Sequence, residues 1–395
     1  LSKNDYDIIV VGAGPAGSTT AKAAAEYGKS VLMIDKRREL GVPVQCGEAL
    51  SEKVLGELDI EPDSRWAINK IDKTRLVSPS GESVVMEQKK TDKIGYILDR
   101  KVFDKDLAVR AVKEGADISI NTFVNGLIKR DGKVKGVTIR SSGENEEIRS
   151  DIVIAADGVM SRVARWAGFD TSLGAEDIES GSQFKMVNVD IQDVHTMEFY
   201  FGNDIAPGGY IWIFPKGEDI VNVGVGVMPA RAGRNSIEYL EDFVSENPKL
   251  KGGRIVEINV GGVPISGPLE RTYDEGILVV GDAARQVNPL TGGGISYSMW
   301  AGDIAGKVAA ESVSEGDVSR GRLKEYEDAW RDKIGDDLKK YGKGKEVLLD
   351  LSDSELDDLA DALQGVNFER ISLTEMLKVV MKVNPKLMFK LRNLI

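Results

Sequence analysis

Residues 5–37, DYDIIVVGAGPAGSTTAKAAAEYGKSVLMIDKR, decide the fold. The β-branched run over 6–11 reads as a buried strand, a small-residue helix extends to about residue 27, and a second strand over 30–34 ends at Asp35. Between the first strand and the helix, Gly12, Gly14 and Gly17 keep the G-x-G-x-x-G spacing. In that spacing the first glycine makes the turn, the second lets backbone approach a pyrophosphate and the third lets helix and strand pack closely. The helix N-terminus offers unpaired N–H groups to an anion, and Asp35, about twenty residues on, can accept from a ribose hydroxyl. The unit is therefore the opening of a parallel βαβ fold that takes an adenine dinucleotide.

Working outward, the loop VPVQCGEAL (42–50) is followed by a helix, then by strands in RLVSPSGESVVMEQ and KIGYILDR about the turn 79–81. A helix from Asp99 follows, KRDGKV is a strong hairpin signal, and DIVIAADG returns to the nucleotide domain as a strand. From about 173 to 270 the pattern becomes short alternating segments around one helix, NSIEYLEDFVSENP, which predicts a mostly antiparallel sheet. Strand, loop and a long small-residue helix then recur from Gly276. The expected domains are 1–75, 97–170 and 271–315 for the discontinuous nucleotide-binding domain, 76–96 and 171–270 for a substrate domain, and 316–395 for a C-terminal helical region.

A net charge of −12 over 395 residues argues against nucleic acid as a partner, since phosphates are held by Lys and Arg. One cysteine and one histidine leave no intrachain disulfide, no paired-thiol redox motif and no set of soft metal ligands, so no metal site is expected. No signal peptide precedes the first strand and no apolar run of spanning length occurs, so a cytoplasmic location is expected. The lone His195, in DVHTMEF, reads as a surface or structural residue.

The late stretch GDAARQVNPLTGGGI (281–295) goes beyond what an ordinary NAD dehydrogenase needs. Its small residues lead into a helix whose N-terminus can favour negative charge on a flavin. Together, VGAGPAG, LDRKVFDKDLA, IAADGVMSRVAR and VGDAARQVNPLTGGGI resemble the flavoprotein family of p-hydroxybenzoate hydroxylase and the geranylgeranyl reductases. VPVQCGEAL and YIWIFPKG resemble the geranylgeranyl reductases in particular, including the archaeal enzymes that saturate digeranylgeranylglycerophospholipids. The resemblance runs from about Asp5 to Ala310. It implies a fold of α/β plus antiparallel sheet: a Rossmann-like FAD-binding domain of p-hydroxybenzoate hydroxylase type with an inserted substrate domain and a C-terminal helical region. The cofactor it implies is FAD. It places Gly12, Gly14, Ala16, Gly17, Asp35, Lys36, Cys46, Gly47, Arg100, Val124, Asp157, Gly158, Gly281, Asp282, Gly292, Gly293, Gly294 and Ile295 around that cofactor. For Asp157 and Gly158 an Asx-type turn before a helix is an equal alternative.

On the substrate side, Tyr210, Trp212 and Phe214 alternate with Ile211 and Ile213, so the aromatics share one strand face. That face is either core packing against a helix or the wall of a long apolar channel suited to an isoprenoid chain. Reducing an isolated alkene needs hydride at one carbon and a proton at the other, and Cys46, Tyr210 or a backbone-held water could give the proton. Cys46 is open to three readings: a pocket residue influencing alkene position or protonation, an essential proton donor, or a structural thiol. The resemblance puts it in the catalytic cavity, with Glu48 fixing the loop and with Trp212, Phe214 and Pro289 beside substrate. The expected activity is FAD-dependent reduction of geranylgeranyl chains in archaeal lipid precursors, on phospholipid or prenyl diphosphate. The alternatives are a flavin monooxygenase acting on an aromatic or isoprenoid compound and a non-enzymatic lipid carrier.

No second dinucleotide motif is visible, so the electron donor, NAD(P)H or ferredoxin, is expected to bind transiently. The tail ISLTEMLKVVMKVNPKLMFKLRNLI spaces Lys378, Lys382, Lys386 and Lys390 by four, with Pro385 interrupting. It reads equally as a peripheral membrane helix pair or as a helical cap.

Overall fold

A computed structural model describes residues 3–87, 95–141 and 144–364. The chain forms two compact units. Among the described residues, the first comprises those of Leu1–Val42, Arg100–Leu173 and Pro264–Lys339, and the second those of Pro43–Asp99, Gly174–Val263 and 340–364.

The first unit contains β1 (Asp5–Val11), α1 (Pro15–Glu26), β2 (Val31–Ile34), α3 (Arg100–Lys113), β8 (Asp117–Ser119), β9 (Phe123–Arg130), β10 (Lys133–Ser141), β11 (Glu144–Ala155), α4 (Arg162–Ala167), β17 (Tyr273–Asp274), β18 (Ile277–Val279), α6 (Ile295–Glu315) and α7 (Arg320–Trp330). Its sheet runs β17-β18-β11-β1-β2-β8, with β10 and β9 added beside β11. The pairs β1/β11, β1/β2, β2/β8 and β11/β18 are parallel. Alternation along β1 sends Ile8 and Val10 into one apolar layer and Ile9 and Val11 into the other, so the strand is buried on both faces. Asp131 and Gly132 take φ of +50° and +77°, the backbone that the KRDGKV hairpin turn requires.

Helices α1 and α6 touch along glycines. A Cβ at Gly302 would sit 2.6 Å from the Ala16 carbonyl oxygen, and one at Gly306 would sit 2.4 Å from that of Thr20. The small-residue composition of both helices is thus a condition of their approach. Helix α7 also belongs to this core: Leu323, Tyr326 and Trp330 are wholly buried. Tyr326 donates to the Val279 carbonyl at 2.9 Å and Trp330 Nε1 donates to Thr272 Oγ1 at 2.9 Å, so neither polar tip is stranded. The expected separate region beginning at 316 is therefore not separate at its start.

The second unit contains β3 (Ala49–Ser51), α2 (Glu52–Glu57), β4 (Ala67–Ile71), β5 (Lys73–Val77), β6 (Ser83–Glu87), β7 (Gly95–Leu98), β12 (Ile178–Val187), β13 (Thr196–Tyr200), β14 (Tyr210–Pro215), β15 (Ile220–Val227), α5 (Ser236–Glu246), β16 (Arg254–Pro264), α8, which starts earlier (Asp336–Leu349), and α9 (Asp353–Leu363). Its large sheet has the order β16-β12-β15-β14-β13-β5-β6, antiparallel at β12/β15, β14/β15, β13/β14 and β5/β6 and parallel at β13/β5. A small sheet β3-β7-β4 accompanies it. Residues 43–75, expected with the nucleotide domain, group here because β5 pairs with β13 and because β3 and β4 both pair with β7. Helix α9 is fixed to the β5–β6 turn by Asp357, which accepts from Ser78 Oγ at 2.6 Å and from the Ser80 amide at 2.9 Å. The basic residues of the tail, from Lys378 to Arg392, lie outside the described residues.

Candidate functional site

The cradle in the first unit is built by exclusion. A Cβ at Gly12, where φ is +105°, would lie 2.2 Å from the Ala156 carbonyl oxygen, and one at Gly17 would lie 1.8 Å from that of Gly12. At Gly14 nothing stands within 4 Å of the corresponding position, which leaves the backbone open. Gly14 caps α1 without a side-chain bond, and Pro15 follows with no N–H, so the helix presents its first-turn amides outward. Asp35 is buried; it accepts from the Ala13 amide at 3.0 Å and the Arg37 amide at 2.8 Å, which leaves lone pairs for ribose hydroxyls. These features fit an adenine dinucleotide: an anion site at a helix start and a carboxylate at the neighbouring strand end.

The late glycine segment meets this cradle. Gly281 has φ of +70°, and a Cβ there would come 2.8 Å from the Ala16 Cβ and 3.0 Å from Ser298 Oγ. Asp282 Oδ1 lies 3.1 Å from where a Cβ at Gly294 would stand, and Gly294 caps α6, whose first residue is Ile295, with no side-chain bond of its own. Burial pushes the Asp282 carboxyl above its ordinary range, and the charge of Arg100 opposes the shift. Arg100 is held for that role by two bonds to buried Asp104, at 2.6 and 2.9 Å. The loop between holds itself together: Asn288 Oδ1 accepts from the Leu290 and Thr291 amides, the Asn288 amide donates to the Gly293 carbonyl, and Gly292 (φ +63°) donates back to that of Asn288. Pro289 is buried within this loop.

Asp157 reaches the start of α4 across six residues, a longer span than an Asx turn closes. Its Oδ2 accepts from the Val163 amide at 3.1 Å, at the start of α4, and Gly158 has φ of +76°. Burial raises its carboxyl, and the backbone amides of Val163 and Arg162 and the charge of Lys36 pull the other way. Its Oδ1 is sealed with no hydrogen-bond partner among the described residues. Val124 lies on β9 with its side chain in the apolar core.

In the second unit, one face of the large sheet carries Tyr210, Trp212 and Phe214. The β12/β15 and β14/β15 registers set Gly181, Gly226 and Tyr210 in one row, Gln183, Gly224 and Trp212 in the next, and Lys185, Asn222 and Phe214 in a third. Ile211 and Ile213 face the other way, into the core shared with Tyr239 and Leu240 of α5. The aromatic face is therefore not the one on which α5 packs. Tyr210, Trp212, Phe214 and Phe199 form a chain of ring contacts with centroids 5.3 to 6.2 Å apart. Gly224 is bare because Trp212 lies over it; a Cβ there would be 2.2 Å from the indole.

The Cys46-Gly47-Glu48 loop is fastened to this face. Gln183 donates to the Cys46 carbonyl at 3.0 Å and accepts from Trp212 Nε1 at 3.0 Å. Glu48 Oε2 accepts from Lys216 Nζ and from Asn222 Nδ2, each at 2.5 Å, and the ion pair is buried on both sides. Glu48 has φ of +73°, and its carbonyl accepts from the Leu98 amide at 2.8 Å. A Cβ at Gly47 would meet the Phe214 ring at 2.9 Å. Cys46 is half-buried, and its Sγ accepts from the Glu48 amide at 3.2 Å. Burial keeps the Tyr210 phenol far above its ordinary range, with Glu179 and Cys46 adding to the shift.

His195 is exposed, with Nδ1 2.8 Å from the Lys70 carbonyl oxygen, and takes no part in either region. Among the described residues no cluster of His, Cys, Asp or Glu is placed to hold a metal ion. Sequence reasoning missed Glu179, Gln183, Lys216 and Asn222. Part of the signal was present: NVGVG alternates polar or glycine residues with valine, which marks a strand face lined for something other than core, whereas IESGSQFK is polar or glycine at five successive positions and hides which face is which.

Two family models match the chain. Residues 7–212 match the family described as FAD dependent oxidoreductase, and 177–263 match the geranylgeranyl reductase catalytic domain. The chain is 48% identical to digeranylgeranylglycerophospholipid reductase 1 of Methanothermobacter thermautotrophicus over 99% of its own length and 98% of the relative's. It is 46% identical to the digeranylgeranylglycerophospholipid reductase of Methanosarcina acetivorans, covering 99% and 97%. A solved structure described as geranylgeranyl bacteriochlorophyll reductase-like, from Thermoplasma acidophilum, superposes with a TM-score of 0.94 at 39% identity, covering 99% of this chain and 100% of that one. A flavin-dependent brominase triple mutant, at 17% identity and a TM-score of 0.74, shares the fold alone. The chain belongs to the archaeal digeranylgeranylglycerophospholipid reductase family.

Proposed function

We propose that this protein reduces the isolated double bonds of geranylgeranyl chains on 2,3-digeranylgeranylglycerophospholipids, giving saturated phytanyl-type chains, with FAD as cofactor. The observation that carries the reading is the aromatic sheet face with its fastened Cys46 loop, built within the segment that matches a geranylgeranyl reductase catalytic domain.

The first unit holds the cofactor: Gly12, Gly14, Ala16 and Gly17 at the pyrophosphate, Asp35 and Lys36 at the ribose, and Arg100, Asp282 and the turn 292–295 along the remainder. When bound and reduced, FAD supplies a hydride equivalent. The second unit holds the prenyl chain. Trp212 and Phe214 bury it, at about 25 cal/mol per Å² of apolar surface removed from water. Cys46 and Tyr210 border the alkene, and Glu48 keeps the loop in place through Lys216 and Asn222. Pro289, in the first unit, is assigned to the substrate side. A transient donor, NAD(P)H or ferredoxin, renews the reduced state. No helix among the described residues is long and apolar enough to cross a membrane. The basic, apolar tail supports peripheral contact with a lipid surface, which salt-sensitive sedimentation of the full chain with anionic vesicles checks.

The deciding experiment is anaerobic incubation of the reduced holoprotein with geranylgeranyl phospholipid, diphosphate and free alcohol, read by mass spectrometry. The expected product gains two hydrogens per double bond without oxygen. Substrate-stimulated oxygen consumption and no gain of hydrogen would overturn the reading in favour of a monooxygenase.

A further inference from the structure

The aromatic face carries a carboxyl that none of the assignments above uses. Glu179, on β12, is 6% exposed. Its Oε2 lies 2.8 Å from where a Cβ at Gly226 would stand, so it occupies the space that a side chain at 226 would fill. Gly226 pairs with Tyr210 on one side and with Gly181 on the other, so the carboxyl rests on bare backbone beside the Tyr210 ring. Among the described residues no hydrogen bond or close ion pair reaches it. A purely structural carboxylate in such a place would be expected to have partners, because an unpaired buried charge is costly.

Its surroundings keep the proton on. Burial pushes the Glu179 carboxyl up to about 7, while the Lys345 ammonium on α8 pulls it down. The other titratable groups facing it are Tyr210 and, beyond Tyr210, Cys46. Lys345 also feels Asp177 and Glu346, and burial lowers it. On the β16 side, the residues near the start of β12 are Gly261 and Gly262, which bring no charge. Tyr210 itself is a poor final source of a proton, because burial strongly disfavours the phenolate that donation would leave.

We propose that Glu179 is the proton donor of alkene reduction, placed against the prenyl chain by the missing side chains at Gly181 and Gly226. The proposal rests on the reductase reading given above. One alkene carbon receives the hydride and the other takes the proton. The alkene π pair forms the new C–H bond, the carboxyl O–H bond breaks, and the carboxylate keeps that pair until water returns a proton. A donor that titrates near neutral pH matches the requirement of general acid catalysis.

The test has two independent readouts. Product formation by the holoenzyme should fall with rising pH above about 7, and Glu179→Gln should lower it by roughly 10²–10⁴-fold and abolish that pH limb. Lys345→Met, which removes the opposing cation, should move the limb to higher pH. Separately, infrared difference spectra of the holoprotein should show a protonated-carboxyl band that is lost as pH rises through about 7 and is missing in Glu179→Gln. A folded, flavin-loaded Glu179→Gln enzyme with wild-type rate and pH limb would overturn the proposal, as would the absence of the infrared band from the wild type. A wild type that reduces no prenyl lipid while the band titrates would instead sink the reductase reading.

Discussion

Lys216→Met tests whether the Cys46 loop is held where it is by the buried ion pair. Lys216 and Glu48 side chains are each 4% exposed, and the Asn222 amide also donates to Glu48 Oε2. Removing one partner of a buried pair typically costs about 3–5 kcal/mol, because the remaining charge stays desolvated. Replacing both, in Lys216→Met with Glu48→Gln, removes the stranded charge and should recover most of that loss, leaving about 0–2 kcal/mol. Glu48 also sits at φ of +73°, which costs roughly 1–2 kcal/mol in a non-glycine residue and persists only while the contacts enforce it. Weakening the loop by about 3 kcal/mol raises its open population roughly a hundredfold. Because Cys46 is the protein's single cysteine, thiol labelling reports that opening without interference. The assay pairs urea denaturation, followed by tryptophan fluorescence, with the rate of Cys46 modification under native conditions. Labelling at least tenfold faster is expected for the single variant, with a return toward wild type in the double. A single variant that loses less than about 1 kcal/mol, or a double variant no more stable than the single, would refute the account.

Gly12→Ala puts a Cβ 2.2 Å from the Ala156 carbonyl oxygen at φ of +105°, so the purified protein should be colourless and stay so when FAD is added, as read by flavin absorbance. Trp212→Ala removes the indole from the apolar face and from Gln183, and KM for the prenyl lipid should rise roughly ten- to a hundredfold, from about 1.5–3 kcal/mol of lost burial, in steady-state assays. Asp282 has a folded-state carboxyl raised by burial, so its stabilising contribution is present below the ordinary carboxylate pKa and is lost as pH rises through the raised one. Asp282→Asn should therefore make the cofactor-free protein more stable than wild type at neutral pH, with the gap closing in acid, as thermal denaturation across pH will show.

The cofactor half was legible because its constraints are local. The turn at Gly12, Gly14 and Gly17 and the acid at Asp35 lie within one βαβ unit, and the hairpin at Asp131 and Gly132 is written in two adjacent residues. The common face of Tyr210, Trp212 and Phe214 followed from strand periodicity alone. What the sequence hid is set by pairing between distant strands. Gln183 and Asn222 reach the Cys46 loop only because β12 and β15 pair in one register, and the carboxyl of Glu179 finds room only where Gly226 has none of its own to offer. Domain limits failed for the same reason: β5 joins β13, about 120 residues later, and no local pattern announces that partnership. Helix α7, polar along most of its length, concealed Tyr326 and Trp330, whose burial assigns it to the first core.

The glycine contact between α1 and α6 also dictates an order of events during synthesis. Gly281, Gly302 and Gly306 must reach Ala16 and Thr20 before the nucleotide turn has its final support, and they are separated from it by most of the chain. A ribosome-bound fragment that ends before α6 carries the complete G-x-G-x-x-G motif without the helix that backs it. The nascent protein must then wait, its first strands paired and one apolar layer uncovered, until α6 emerges. Such a high sequence separation slows folding and leaves an aggregation-prone interval. A cradle that needs this backing is complete only once α6 has emerged.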